Sequence, residues 1–318
     1  MDPVSHALGG RLLAGFDRRK SLGPGSRAAF VLGALAPDLD ILLVPRGWDV
    51  YLDAHQAWTH AILVSPILAL AVAGVVALFA RAAHVRRLWI AALVGVLVGH
   101  IGFDLVSGSD MLLFWPLVSA RFGPHWLAMA DWLAVGIVLG ATAISVRWRW
   151  TASWVAVGLM AVLLAVKAES QAIAQRAFLA TVAGDHGEMT GTRPDAMSGH
   201  VFDWLFYDRR GSSVRAWQVN ARTGRVDQLF SIDGTADDAV VAASRAVPVV
   251  STFIKLAQLP FPHLEVDGSR RLILWSDPRY CAADGCHLSF GAVFSPTGVP
   301  LLQVIRIGTF EQTRGLRE

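Results

Sequence analysis

The chain has 318 residues, 54% of them hydrophobic and 17% charged, with a mean hydropathy of +0.46. Ordinary soluble domains carry about 25% charged residues, so this composition excludes a simple soluble globule and points to an integral membrane protein. The net charge of +3 is modest. The arginines fall in short clusters beside apolar runs, which suits membrane topology and argues against a nucleic-acid partner.

The apolar content is uneven. Residues 28–166 are dense in Leu, Val and Ala, whereas 167–318 read as ordinary polar chain. Two parts are therefore expected: a membrane-embedded helical domain over 1–166 and a soluble α+β domain over 167–318. No charged n-region, apolar core and small-residue cleavage site opens the chain, so no removable signal peptide is expected.

The first predicted element is a helical stretch from about Val4 to Phe16, too short to span. It reads as a half-depth arm turning at Asp17–Gly25, with Gly9 and Gly10 permitting close helix packing. Ala28–Val44 is the first span candidate, broken by Pro37-Asp38-Leu39-Asp40. A broken helix at membrane depth is tolerated only where it lines a polar cavity or is packed in protein. Ala61–Ala80, Leu88–Val106, Trp126–Val146 and the shorter Trp150–Val166 follow, giving four to five spans.

Short arginine-bearing loops set the expected orientation. Arg18, Arg19, Lys20 and Arg27 lie at the first span, Arg81, Arg86 and Arg87 between the second and third, and Arg147 and Arg149 between the fourth and fifth. By the positive-inside rule all three clusters are cytoplasmic. Residues 45–60, 107–125 and everything after 167 then fall on the outer side.

In the outer domain Val214–Leu229 alternates as a hairpin turning at Asn220–Gly224. Leu272–Trp275, His287–Phe294 and Leu301–Ile307 are further strand candidates, and Ala239–Ala246 and Thr252–Leu259 are helix candidates. Cys281 and Cys286 flank a turn-like linker and are expected to form a local disulfide on the oxidising side of the membrane. His263 and Asp277-Pro278 read as turn residues.

The membrane domain carries ionisable side chains that its apolar setting penalises by several kcal/mol per unpaired charge. Asp38 and Asp40 follow Pro37; His55 and His60 lead into the second span; His100 and Asp104 lie four apart on one helix face. The orientation argument uses none of these residues, yet it collects them at the outer membrane face. Asp131 falls near the same face, at the outer start of the fourth span. Imidazole and carboxylate without thiolate suit Zn, Mn or Fe. Six ligands are too many for one tetrahedral zinc, so two or three divalent ions are expected. Clustered ions clamp the attacking and leaving oxygens of a displacement, which makes ester or phosphoester hydrolysis the natural chemistry. Periodicity gives His6, in Ser5-His6-Ala7-Leu8-Gly9-Gly10, no part in this.

The order Ser5-His6-Ala7-Leu8-Gly9-Gly10, Gly33-Ala34-Leu35-Ala36-Pro37-Asp38-Leu39-Asp40, His55-x4-His60, Gly99-His100-x3-Asp104 and Phe114-Trp115-Pro116 resembles the YdjM-like family of LexA-regulated, membrane-bound, metal-dependent hydrolases. The resemblance covers roughly residues 1–145. It implies metal ligands at His6, Asp38, Asp40, His55, His60, His100 and Asp104, and so supplies the case for His6. It is also similar in look to zinc-dependent phospholipase C, which implies a phosphoester. An arginine usually follows the first of the paired histidines and a serine the second; here these are Gln56 and Ala61.

Two functions follow as expectations. The first is a hydrolase of the bacterial inner (plasma) membrane acting on a lipid or lipid-linked ester at the outer face. In it Asp131, or a metal-bound carboxylate, is the general base, Trp115 lines the entrance and the outer (periplasmic) domain caps the site. The second is a non-catalytic metal-binding or transport protein. Ligands clustered at one face, rather than strung as weak sites across the bilayer, favour the first.

Overall fold

In the computed structural model, which describes residues 2–55, 57–81, 84–182, 194–236, 238–267 and 270–316, helix α1 (Pro3–Leu13) starts at a side-chain cap. The Asp2 carboxylate accepts from Ser5 N at 2.9 Å and from Ser5 Oγ at 2.6 Å, and Pro3 takes the first helical position, where no N–H is needed. Helix α2 (Ser26–Leu35) follows Gly25, whose φ of +82° is the left-handed conformation glycine adopts without strain. A 3-10 segment, Pro37–Arg46, then continues at 48° to α2. Next come α3 (Trp48–Ala54) and α4 (Ser65–Ala80). Helix α5 (Val85–Val94) runs through a π-helical stretch, Gly95–Ile101, into α6 (Gly102–Val106). Helices α7 (Trp132–Ile144) and α8 (Arg149–Val182) complete the helical region.

Among the described residues two helical runs are long and apolar enough to cross a membrane, Val85–Val106 and Arg149–Val182. The number rises to four if α2 with Pro37–Arg46, and Trp48–His60 with α4, each count as one bent span. The sequence led to four or five. The difference lies mainly at Trp126–Val146, where only the 13 residues of α7 are helical. Residues 126–131 are spent on a loop ending in Asp131, which caps α7 by accepting from Leu133 N at 3.0 Å. Trp150–Val166, by contrast, is the first half of a 34-residue helix.

The chain divides into two compact units, Met1–Val44 with Ala54–Ala172 and Asp195–Phe202, and Pro45–Asp53 with Ile173–Pro194 and Asp203–Glu318. The grouping is not a single cut at 166/167. Lys167 and Glu169 lower the hydropathy there, but the Ala- and Gln-rich sequence keeps the helix going.

The core of the first unit is built from small residues. Ala29 and Phe30 of α2, Ala69, Ala73 and Val76 of α4, and Leu88, Ala91 and Ala92 of α5 are all buried together. Such residues let helix backbones approach closely. The closest approach uses two glycines: a Cβ on Gly33 would lie 2.3 Å from the Ala92 carbonyl oxygen, and one on Gly95 would lie 2.3 Å from that of Phe30. Both clashes are with backbone, so no rotamer relieves them. Gly33→Ala is therefore expected to destabilise this unit by about 1–3 kcal/mol. Gly136→Ala, with nothing within 4 Å, is expected to be neutral. Thermal melting of both variants in detergent checks the pair; equal midpoints would refute the close packing of α2.

The second unit is sheet-rich. Strands β2 (Asp203–Arg210), β3 (Ser213–Asn220) and β4 (Val226–Asp233) pair antiparallel. The β3–β4 turn is held by Asn220 Oδ1, which accepts from Thr223 N at 3.0 Å, and by Gly224 at φ +73°. A second antiparallel sheet has the order β11-β10-β9-β6-β5. Its strands are β5 (Phe261–Asp267), β6 (Arg270–Ser276), β9 (Leu288–Phe294), β10 (Pro300–Ile307) and β11 (Phe310–Gly315). Helices α9 (Ala239–Ser244) and α10 (Pro248–Leu256) bury Val241, Val249, Val250 and Phe253 against Ile273, Trp275, Phe290 and Phe294. His263, read as a turn residue, lies in β5 opposite Leu274. Asp277 caps the short 3-10 turn Pro278–Tyr280. Cys281 and Cys286 are disulfide-bonded across the two-residue strands β7 (Cys281–Ala282) and β8 (Gly285–Cys286). One further short strand, β1 (Asp195–Ala196), belongs to the first unit.

Candidate metal centre

Each candidate ligand is set by its local backbone. The 3-10 geometry after Pro37 turns Asp38 and Asp40 inward, where a regular α-helix would send residues two apart to different faces. Trp58–His60 is a single 3-10 turn that delivers His60 before α4 begins. His100 lies in the last turn of the π-helical stretch, and His100 and Asp104 meet at 3.3 Å.

These side chains converge. Asp38, His60, His100 and Asp104 each offer one donor atom within 4.8 Å of the others, and Asp38, Asp40 and His55 form a second such group. Asp38 is common to both. His60 Nε2 lies 3.5 Å from Asp104 Oδ2 and 3.7 Å from Asp38 Oδ1, and His100 Nε2 lies 3.5 Å from Asp38 Oδ1. His6 joins from α1: its Nε2 is 3.2 Å from the other Asp104 oxygen, and its ring stacks on His100 with centroids 4.0 Å apart. His55 Nδ1 lies 3.0 Å from Asp40 Oδ2. All seven sequence candidates thus lie in one contiguous cluster.

The hydrogen bonds around the ligands orient their lone pairs. His100 Nδ1 donates to the Ala34 carbonyl at 2.7 Å, and His6 Nδ1 donates to that of Gly99 at 3.1 Å. Thr59 Oγ1 donates to Asp40 at 3.0 Å and so accepts from His60 Nδ1 at 2.9 Å. With each Nδ1 committed as donor, each neutral ring presents an Nε2 lone pair inward, the usual way a protein fixes metal-binding imidazoles. The Nε2 atoms of His60 and His100 then face each other at 3.0 Å. His6 Nε2 is buried with no hydrogen-bond partner. Two lone pairs at that distance require a positive charge between or beside them. A shared proton satisfies two donors; a metal ion satisfies all four of the Asp38, His60, His100 and Asp104 group. The residues therefore fit a divalent cation, which would offset the burial of the carboxylates in the cluster. Access is one-sided: Asp38 and His55 are 24% and 27% exposed, whereas His6, Asp40, His60, His100 and Asp104 are at most 4% exposed.

Asp131 and Trp115 stand apart from this pattern. Besides capping α7, the Asp131 carboxylate makes a fully buried ion pair with Lys167 Nζ at 2.5 Å. Both of its carboxylate oxygens are thereby engaged, Oδ1 by the cap and Oδ2 by Lys167. Trp115 lies in the loop after α6, 39% exposed, and its backbone N–H bonds the Leu112 carbonyl. Ala61, where the family pattern has serine, is fully buried. Gln56 lies outside the described residues.

Thr59, Lys167 and His125 were not singled out from the sequence. Thr59 carried no signal beyond its place next to His60. His125 is fully buried at a left-handed φ of +57°, between Asp195 at 2.6 Å and Asp110 at 3.3 Å. It lies outside the membrane-crossing segments. Burial alone lowers its pKa, but the Asp110 and Asp195 carboxylates outweigh burial and push it up to about 9. The folded value exceeds the unfolded value of about 6.5. This contact is therefore fully stabilising below about pH 6.5 and is lost as pH rises through about 9. Because His125 ties Asp195 to the first unit, amide exchange over 195–202 is expected to rise about 10-fold or more between pH 7 and pH 10, after correction for intrinsic rates. His125→Ala is expected to show the fast rate already at pH 7. Equal corrected rates at the two pH values would refute the anchor.

Residues 1–174 match the model of a family described as the YdjM inner membrane protein. No curated protein and no solved structure matches the chain.

Proposed function

Given that this chain belongs to the YdjM family of inner membrane proteins, we propose that it is a metal-dependent hydrolase acting on a lipid or lipid-linked phosphoester at the outer face of the membrane. The observation that carries this reading is the pair of overlapping donor groups sharing Asp38 and open only at Asp38 and His55. Two or three divalent ions, zinc or else manganese or iron, suit a set of four imidazoles and three carboxylates. When bound, such ions polarise a phosphoryl oxygen and lower the pKa of water.

The protein's own contribution is placement. Asp38 is positioned to be held by both groups, and Asp104 to join His6 to the His60 and His100 pair. Thr59, Ala34 and Gly99 keep the imidazoles in the tautomer that leaves Nε2 free. Asp38, the most accessible of the three carboxylates, is the group best placed to accept a proton at the open side. A conduction path needs weak, graded sites, whereas a nearly closed seven-residue cluster favours retention.

The test is metal analysis of detergent-purified protein, followed by a screen of glycerophospholipids and polyprenyl phosphates. Phosphoester cleavage that is abolished by chelation and restored by added zinc or manganese is expected. Tightly held metal without cleavage of any phosphoester would reject the hydrolase and leave a metal-binding protein.

The arginine loops and the Cys281–Cys286 disulfide both support an outer location for the second unit. A reporter that works only in the cytoplasm, fused after Glu318, is expected to be silent. Activity of that fusion would overturn the orientation.

A further inference from the structure

Away from the metal centre, three guanidinium groups converge on one small cleft. Arg11 of α1, Arg27 of α2 and Arg149 of α8 line it together with Gly15, Ser145 and Ser153, and no carboxylate is among the lining residues. The cleft has room for one water-sized group, about 10 Å³. The Arg11 Nε is buried there without a hydrogen-bond partner. Both serine hydroxyls are committed elsewhere, Ser145 to the Thr142 carbonyl and Ser153 to that of Leu12.

The local field compounds the charge. Arg27 and Arg149 sit in the first turns of α2 and α8, the positive ends of helix dipoles, where cations are unfavourable. Neither first turn contains an acidic residue, and Gly25 offers α2 no side-chain cap. Two helix starts without a first-turn carboxylate and three cations around an oxygen-sized space describe a site for one oxygen of an anion.

Leu12 and Ser153 also belong to a second space, an apolar groove of about 320 Å³. Ser153 is the one polar side chain lining it. The groove follows α8 from Ser153 to Leu164, faced by Phe16 on one side and by Phe103 of α6 farther along. Eleven residues of helix rise about 16 Å. A single leaflet contributes about half of the roughly 30 Å hydrocarbon thickness. An anion-sized cleft therefore lies beside a chain-shaped groove one leaflet long, with Leu12 and Ser153 common to both.

We propose that this is a binding site for one phospholipid of the arginine-side leaflet, its phosphate oxygen on Arg11, Arg27 and Arg149 and an acyl chain in the groove along α8. The proposal does not depend on hydrolysis at the metal centre, since no residue of the arginine cleft is a candidate ligand. Basic pockets between transmembrane helices suit such headgroups, and the apolar groove next to the cleft favours a lipid over free phosphate.

The experiment is native mass spectrometry of the purified full chain with three probes: dioleoyl phosphatidylglycerol, dioleoylglycerol and inorganic phosphate. One phosphatidylglycerol adduct per chain is expected, with neither dioleoylglycerol nor phosphate retained. Arg11→Gln with Arg27→Gln, and separately Val157→Trp, which fills the groove, are each expected to cut that adduct at least tenfold. Equal retention of dioleoylglycerol would overturn the phosphate contact. Equal retention of inorganic phosphate would overturn the chain contact. On the wild-type chain, which removes any question of misfolded variants, phosphatidylglycerol with a diazirine in its acyl chain is expected to label Phe103, Val157 and Met160. Labelling of the outward-facing Leu70 and Leu139 to the same extent would overturn the site.

Discussion

Asp104→Asn is expected to empty the metal centre while the protein still inserts into the membrane. This carboxylate faces His6 with one oxygen and His60 and His100 with the other, at 3.2, 3.5 and 3.3 Å. Losing a group that merely orients a ligand typically costs 10–100-fold in metal affinity, so losing this shared ligand is expected to cost at least about 100-fold. Thr59→Ala, which removes only the partner of His60 Nδ1, should fall within the smaller range. Metal-to-protein ratios after gel filtration in detergent check both. A wild-type ratio in Asp104→Asn would remove Asp104 from the site.

The largest stability effect is expected at the other buried charge in the helical region. Lys167→Met leaves Asp131 without its cation in a position of zero side-chain exposure. Breaking one side of a buried pair costs about 3–5 kcal/mol, because the remaining charge is stranded. For a unit of this size that corresponds to a fall in melting temperature of roughly 10 °C. Asp131→Asn with Lys167→Met, which strands no charge, should recover most of the loss. The same variants decide what Asp131 does. If its role is structural, the double variant retains bound metal and any activity of the wild type. A double variant that is stable and metal-loaded but inactive would instead make Asp131 the proton acceptor.

The grouping of Asp38, Asp40, His55, His60, His100 and Asp104 was legible because ionisable side chains inside apolar runs are rare, and a topology built from arginines alone put them at one face. His6 was not legible from pattern. Its helix is too short to read as a span, and only its resemblance to a family motif placed it near Asp104. Asp131 was legible as a buried carboxylate but not as a paired one, since Lys167 lies 36 positions away and looks like the polar edge of a span. In the second unit the β3–β4 hairpin, with its alternation and its Asn-to-Gly turn, was readable, as were the apolar strands β6, β9 and β10. Strand β5 was not: Pro260 and Pro262 signal a turn, and the strand tolerates Pro262 because it lies at the sheet edge. β11 was hidden by its composition, Phe-Glu-Gln-Thr-Arg-Gly, which an edge exposed to water permits.

The π-helical stretch that carries His100 separates two tasks of one span. Upstream, Leu88, Ala91 and Ala92 anchor the helix in the core; His100, near the end of the stretch, and Asp104, just past it, belong to the donor cluster. In an uninterrupted α-helix those faces would be locked in phase at about 100° per residue. The extra residue decouples them, so the anchoring surface and the ligating surface can each be optimised without rotating the other. A one-residue deletion within Gly95–Gly99 would keep the hydrophobic length and the helix, yet swing His100 away by a quarter turn or more. A length polymorphism there, invisible to hydropathy, would thus distinguish chains that assemble this cluster from look-alikes that only cross the membrane.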